Sequence, residues 1–315
     1  MQSLSANKII ITILLIVIFY VLFTLYSNYD EISLIYKNVD WFFLIPIFCI
    51  LFPSIFIRSL VQRLLLQQIG IQISIKDSFI IFLSGLSMIV TPGGSGVIIK
   101  SHFLQQKFNH PIAKSVPVVF FERFIELGAV IILVLITLLY TYNNESALIM
   151  VFASIILLLL LLLIKNKKSQ KLVSMLKKIK PFQSIVSDDS FIESLGRLFK
   201  LKLILYVLAL IIPVTFLESM MFYLGFLAFN VDLGYFESIQ AFYSSVVFGS
   251  FFFIPGGVGA TESLFATLLV HKNIALSLAT SIIIFLRLNT IWFVTCIGFF
   301  VAYFTFIKNK RLSNL

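Results

Sequence analysis

Thr91-Pro92-Gly93-Gly94-Ser95-Gly96 and Ile254-Pro255-Gly256-Gly257-Val258-Gly259 are two copies of one motif, each set inside hydrophobic sequence. An arginine follows 27 residues after the first copy and 28 after the second, Arg123 and Arg287, both in apolar runs. Pro-Gly-Gly breaks a helix. At membrane depth such a break is tolerated only where the freed backbone is buried in protein or lines a cavity. Interrupted apolar segments at matching places in two halves of a chain point to the substrate site of a transporter.

The surrounding composition fixes the class. Of 315 residues, 60% are hydrophobic, and the mean hydropathy is +1.05. Apolar stretches long enough to cross a hydrocarbon core of about 30 Å are expected at 9–26, 41–60, 115–140, 147–164, 203–229 and 275–307. Shorter apolar arms, at 78–90 with 97–106 and at 239–253 with 260–270, fall below the roughly 20 residues that a span requires. The Pro-Gly-Gly turns join them into two re-entrant hairpins. The fold expected is therefore an all-α polytopic membrane protein of one domain, 1–315, with about six full spans and two re-entrant hairpins. A first repeat covers about 41–164, a basic loop 165–202, and a second repeat 203–307. The first span lacks a cleavage signal and is expected to be retained.

Charge orients this layout. The formal net charge is +10, and ten of the 24 Lys and Arg residues fall between Lys165 and Lys202, with three more at Lys308, Lys310 and Arg311. Clusters beside spans anchor to anionic headgroups rather than to nucleic acid. An N-terminus inside collects twenty basic residues on the cytoplasmic side, Arg58 and Arg63 among them, against Lys37 and Lys272 outside. Both termini are then cytoplasmic, in the plasma (cytoplasmic) membrane, with 275–307 as one long helix. Three full spans separate the hairpins. An odd number makes them enter from opposite sides, as in an inverted-topology repeat.

Ionisable residues within apolar sequence are few: Glu122, Arg123, Glu126, Glu218 and Arg287, with Lys100 and Glu262 on the hairpins. Each is costly in lipid and should face a partner inside the bundle. Structural ion pairs are the bland account of them. The sharper one gives Arg123 and Arg287 a phosphate to hold, because a guanidinium offers a planar fork of donors and stays charged when desolvated. Lys100 and the backbone at Gly93, Gly94, Gly96, Gly256, Gly257 and Gly259 would join them, helix N-termini after the last glycines being ready anion sites. Glu122, Glu126, Glu262 and Glu218 would serve as charge partners. Cys49 and Cys296 supply neither a disulfide framework nor a metal site. A segment at 169–180 has the pattern of an amphipathic interfacial helix. No nucleotide, zinc or nucleophile motif is present, so neither a metal nor a cofactor is expected, and the chain is not expected to be an enzyme.

These motifs resemble the lysylphosphatidylglycerol synthase transmembrane-region family, the flippase-like domain, over about residues 8–310. The features that carry the resemblance are T-P-G-G-x-G followed by Lys100, the Glu122-Arg123 pair, P-G-G-V-G followed by Glu262, and Arg287. The resemblance implies movement of an anionic, aminoacylated or polyprenyl-phosphate-linked lipid. The soluble aminoacyltransferase domain of the family's best-known members is not represented in this sequence, so translocation or binding without synthesis is expected. The alternatives are an enzyme or membrane subunit of lipid-linked glycan or aminoacyl-lipid synthesis, and a membrane partner of a glycosyltransferase or synthase.

Overall fold

The computed structural model describes residues 29–91, 98–165, 189–252, 254 and 256–307. The first expected span, the turn Pro92–Val97 with Gly93, Gly94 and Gly96, and the expected helix at 169–180 lie outside the described residues.

The described chain is all helical. After α1 (Tyr29–Lys37) and a 3-10 turn (Trp41–Phe43) come α2 (Leu44–Gln68), α3 (Ile75–Leu86), α4 (Ile99–Phe108), α5 (Ile112–Leu138) and α6 (Asn144–Lys165). Then follow α7 (Asp189–Leu198), α8 (Leu201–Ala228), α9 (Tyr235–Ser250), α10 (Ala260–Val270), α11 (Leu276–Arg287) and α12 (Phe293–Ala302). A π turn at Leu288–Trp292 joins α11 to α12, and another at Tyr303–Ile307 ends the helix, so 276–306 is one continuous 31-residue helix, as expected. Among the described residues, four helices are long and apolar enough to span: Trp41–Gln68, Asn144–Leu162, Leu201–Ala228 and Leu276–Phe306. The helix α5 is 27 residues long, but Glu122, Arg123 and Glu126 interrupt its apolar character. Neither α1 nor α7 was anticipated from the sequence. Both are short, and strong polar content at their ends hides them from a hydropathy reading.

The span expected to end at residue 60 runs on to Gln68, and this corrects one placement. Arg58, assigned above to a cytoplasmic segment, lies well inside α2 with its side chain only 15% exposed. Two apolar turns beyond it, through Leu65 and Leu66, are themselves buried, so the helix continues within the bundle.

The segments α2–α3 and α8–α9 carry the same devices 160 residues apart. Pro53, Phe56, Ser59 and Ser78 recur as Pro213, Phe216, Ser219 and Ser238. Ser59 and Ser219 each donate to the carbonyl three residues back, Phe56 and Phe216, at 2.6 Å. Both long helices end on a left-handed residue, Gly70 (φ 75°) and Asn230 (φ 55°). In each, the next amide returns to a last-turn carbonyl, Ile71 to Leu66 at 2.9 Å and Val231 to Phe226 at 3.1 Å, the Schellman closure of a helix C-terminus. Asp77 in the first turn of α3 pairs with Lys107 at the end of α4, and Glu237 in the first turn of α9 pairs with Lys272 just past α10.

The long helices α2 and α8 run antiparallel. Asp40, before α2, donates its amide to Ala228 at the end of α8 at 2.9 Å, while Gln68 at the far end of α2 faces Lys202 at the start of α8 across a cavity. Two apolar cores flank this contact. One gathers Phe222, Phe226, Phe242, Phe265 and Phe285, the other Leu65, Ile81, Phe103, Phe121 and Ile125. Gly298 of α12 lies directly on the backbone of α3. A Cβ there would meet Leu83 O at 2.5 Å and Ser87 N at 2.6 Å, so the two helices touch at a distance that only glycine permits.

A neutral layer of buried charge

Arg58, Lys100, Arg123 and Arg287 pair with Glu122, Glu126, Glu218 and Glu262 where the described helices pack together. The balance follows from the medium. An unpaired charge in hydrocarbon costs at least about 2.5 kcal/mol, so partners are brought to it.

The central group lies where α2, α8 and α5 meet. Arg58 is bidentate on Glu218, Nε to Oε1 at 2.8 Å and Nη2 to Oε2 at 2.6 Å, and its Nη1 reaches Glu126 Oε1 at 3.0 Å. The other oxygen of Glu126 takes Nη1 of Arg123 at 2.8 Å, one helical turn away. Arg123 is the outermost member of this chain. Its side chain is 34% exposed, and its buried Nε has no hydrogen-bond partner among the described residues. A cleft of about 10 Å³, room for one water, lies beside the group and is lined by Arg58, Phe82, Glu122, Glu126 and Val207 among others.

Lys100 and Glu122 form a second group. Lys100, on α4, pairs with Glu122 on α5, with both side chains buried. The lysine stem reaches it by crossing Gly85 of α3, where any side chain would overlap Lys100 Cγ, and its ammonium lies 4.8 Å from the Phe82 ring centroid. Gly85 is therefore the gap that admits Lys100. Glu122 Oε1 accepts no hydrogen bond from the described residues.

The third group holds the second glycine turn. Gly256, Gly257 and Gly259 have φ of 62°, 67° and 91°, a region open to glycine and strained for other residues. At Gly257 a Cβ would also meet Thr261 Oγ1 at 2.7 Å. Glu262, in the first turn of α10, reaches back to accept the Gly259 amide at 2.6 Å. Its other oxygen accepts from Arg287 Nε at 2.7 Å, and Arg287 Nη2 donates to Gly256 O at 2.9 Å. The anion at this helix N-terminus is the protein's own carboxylate, and both side chains of the pair are buried. The expectation of free amides at this turn is thereby corrected for Gly259, whose N–H is already taken.

Arg123 and Arg287 are each the twelfth residue of their helices, α5 and α11. The ion pairs place them in separate groups: Arg123 in the partly exposed central chain, Arg287 locked on a glycine turn. The sequence reading missed Arg58. Its signal was the match of Pro53-x-x-Phe56-x-Arg58-Ser59 with Pro213-x-x-Phe216-x-Glu218-Ser219, in which the position is kept and the charge is inverted.

Among the described residues, four apolar helices of spanning length and the ion pairs between helices agree with one further finding. Residues 9–298 match the lysylphosphatidylglycerol synthase TM region. The chain belongs to that family. The match covers nearly the whole chain, and the protein is a multi-pass membrane protein of the flippase-like kind. No curated protein and no solved structure matches it.

Proposed function

We propose that this family member moves a phosphate-bearing lipid across the bilayer, an anionic phospholipid, an aminoacylated lipid or a polyprenyl-phosphate-linked lipid. Two halves in inverted orientation would rock about the α2–α8 contact. The observation that carries this reading is the Arg58–Glu218 pair. These residues occupy matched positions 160 apart, and they bond each other where two matched helices cross antiparallel. Equivalent residues that touch lie beside the axis relating them. An axis relating antiparallel helices runs across them, so for helices that span a bilayer it runs in the membrane plane, the symmetry of alternating-access transporters. The pairs α3–α4 and α9–α10, each closed at its open end by an acid–lysine bridge, are the two re-entrant hairpins on this reading.

Arg123 is the residue proposed to receive the phosphate. Of the four cations in these groups its side chain is the most exposed, so it is the one that a phosphate can reach. Arg287 instead holds the second hairpin turn in shape through Glu262 and Gly256, a positioning role.

The full chain in liposomes with trace fluorescent phosphatidylglycerol provides the test, with leaflet exchange followed by dithionite quenching. Wild type should exceed empty vesicles. Arg123→Ala should fall at least tenfold with an unchanged unfolding temperature, and Arg123→Lys should fall less. Exchange no faster than in empty vesicles for all three lipid classes would overturn the proposal. Chemical conversion of the lipid by the purified chain would favour the enzyme reading instead.

A further inference from the structure

The cavity between the end of α2 and the start of α8 stands apart from the charge layer. It measures about 560 Å³ and is lined by Gln68, Arg197, Lys200, Lys202, Leu203 and Tyr206. That volume is within the range of small-ligand sites, about 300–1,000 Å³. Three of its six lining residues are cations. Arg197 has Glu193 at 2.5 Å, whereas Lys200 and Lys202 have no carboxylate within ion-pair distance among the described residues. Like charges converging on one space repel unless an anion enters it, and Tyr206 and Gln68 bring further donors.

What lies along the helix identifies the occupant. From Lys202 the spanning helix α8 turns at once apolar. Tyr206, Leu210 and Leu217, which lie on the helix face between Lys202 and Leu203, are exposed, from 37% to 53%. Leu210 lies about 12 Å along the axis from Lys202 at 1.5 Å per residue. Cations above an exposed apolar strip reproduce the two ends of one amphiphile, an anionic head over acyl chains. A soluble anion would use the cations and leave the strip uncovered.

We propose that this cavity binds the headgroup of an anionic phospholipid, its phosphate among Arg197, Lys200 and Lys202 and its acyl chains along Tyr206, Leu210 and Leu217. The site needs only that α8 crosses a membrane. Lipid held here without leaflet exchange would leave it standing, and exchange without binding here would leave the transport proposal standing.

Thermal unfolding of the detergent-purified full chain tests the site, because a ligand that binds the folded state raises its unfolding temperature. Dioctanoyl phosphatidylglycerol should raise it by several degrees, and neither dioctanoyl phosphatidylcholine nor inorganic phosphate should. The triple variant Arg197→Gln, Lys200→Gln, Lys202→Gln should lose the shift. Removing three other lysines of the basic loop, Lys167, Lys168 and Lys171, should retain it. No shift in wild type, an equal shift with inorganic phosphate, a shift that survives the triple variant, or one lost equally in the control would each overturn the proposal. Phosphatidylglycerol retained per protein in native mass spectrometry gives a second reading should the triple variant unfold early. Its retention should drop in that variant alone, and equal retention in wild type and variant would overturn the proposal.

Discussion

Glu262 shows how one side chain sets the chemistry of a turn. A carboxylate that accepts both the Gly259 amide and the Arg287 guanidinium neutralises a buried cation and caps a helix at once. Removing either partner strands the other in a dry interior, which costs about 3–5 kcal/mol. Glu262→Ala and Arg287→Ala should each lower stability by about that amount, read from denaturation in detergent. The double variant should lose distinctly less than the two losses combined, since residues in direct contact couple. Additive losses would show that the pair is not the linkage described. Arg123→Ala should differ, because its side chain is partly exposed and its partner Glu126 keeps Arg58. The same residue type at the same helix position thus has two roles, separated by what surrounds it.

Among elements, the bridges across each pair of short helices set how firmly its open end is held. Asp77 accepts from Lys107 and from Ser74, and these bonds hold its carboxyl below the usual carboxylate range. A carboxyl lowered on folding adds stability in full above its unfolded value of about 4, and the contribution disappears as pH falls through the folded value. Hydrogen exchange across α4 should therefore quicken in acid below about pH 4. Asp77→Asn should show fast exchange already at neutral pH and a flatter profile. An unchanged profile in that variant would remove Asp77 from the closure. Close helix contact plays a complementary part, with Gly298 seating α12 on α3 and Gly85 admitting the Lys100 stem.

For the whole molecule, the proposed inversion makes a prediction about sides. In a Cys49→Ser, Cys296→Ser background, single cysteines at Gln105 on α4 and His271 just past α10 occupy exposed, matched places. Impermeant thiol reagents should label them from opposite faces of the membrane. Labelling from one face would mean that the halves are parallel, and the in-plane axis through Arg58 and Glu218 would go with it. On the proposed inversion the antiparallel α2–α8 contact would join the two halves, and α5 adds Glu126 to it. A rocking motion about that contact would keep Arg58 on Glu218 while the outlying Arg123 changed its surroundings.

The sequence alone determined the medium, and through it much of the fold. Hydropathy located each long helix of the described residues to within a few residues, apart from the end of α2, because in lipid a backbone has to satisfy its own hydrogen bonds. Composition likewise required that embedded charges be paired. It could not name the pairs, because partners such as Arg58 and Glu218 stand 160 residues apart and only packing brings them together. Nor could it foresee that Glu262 would take the anion's place at Gly259, or that Arg287 would be buried while Arg123 stayed partly exposed. Those outcomes depend on which helices touch, and the tertiary structure decided them by close contacts at Gly85 and Gly298 and by the antiparallel crossing of α2 with α8.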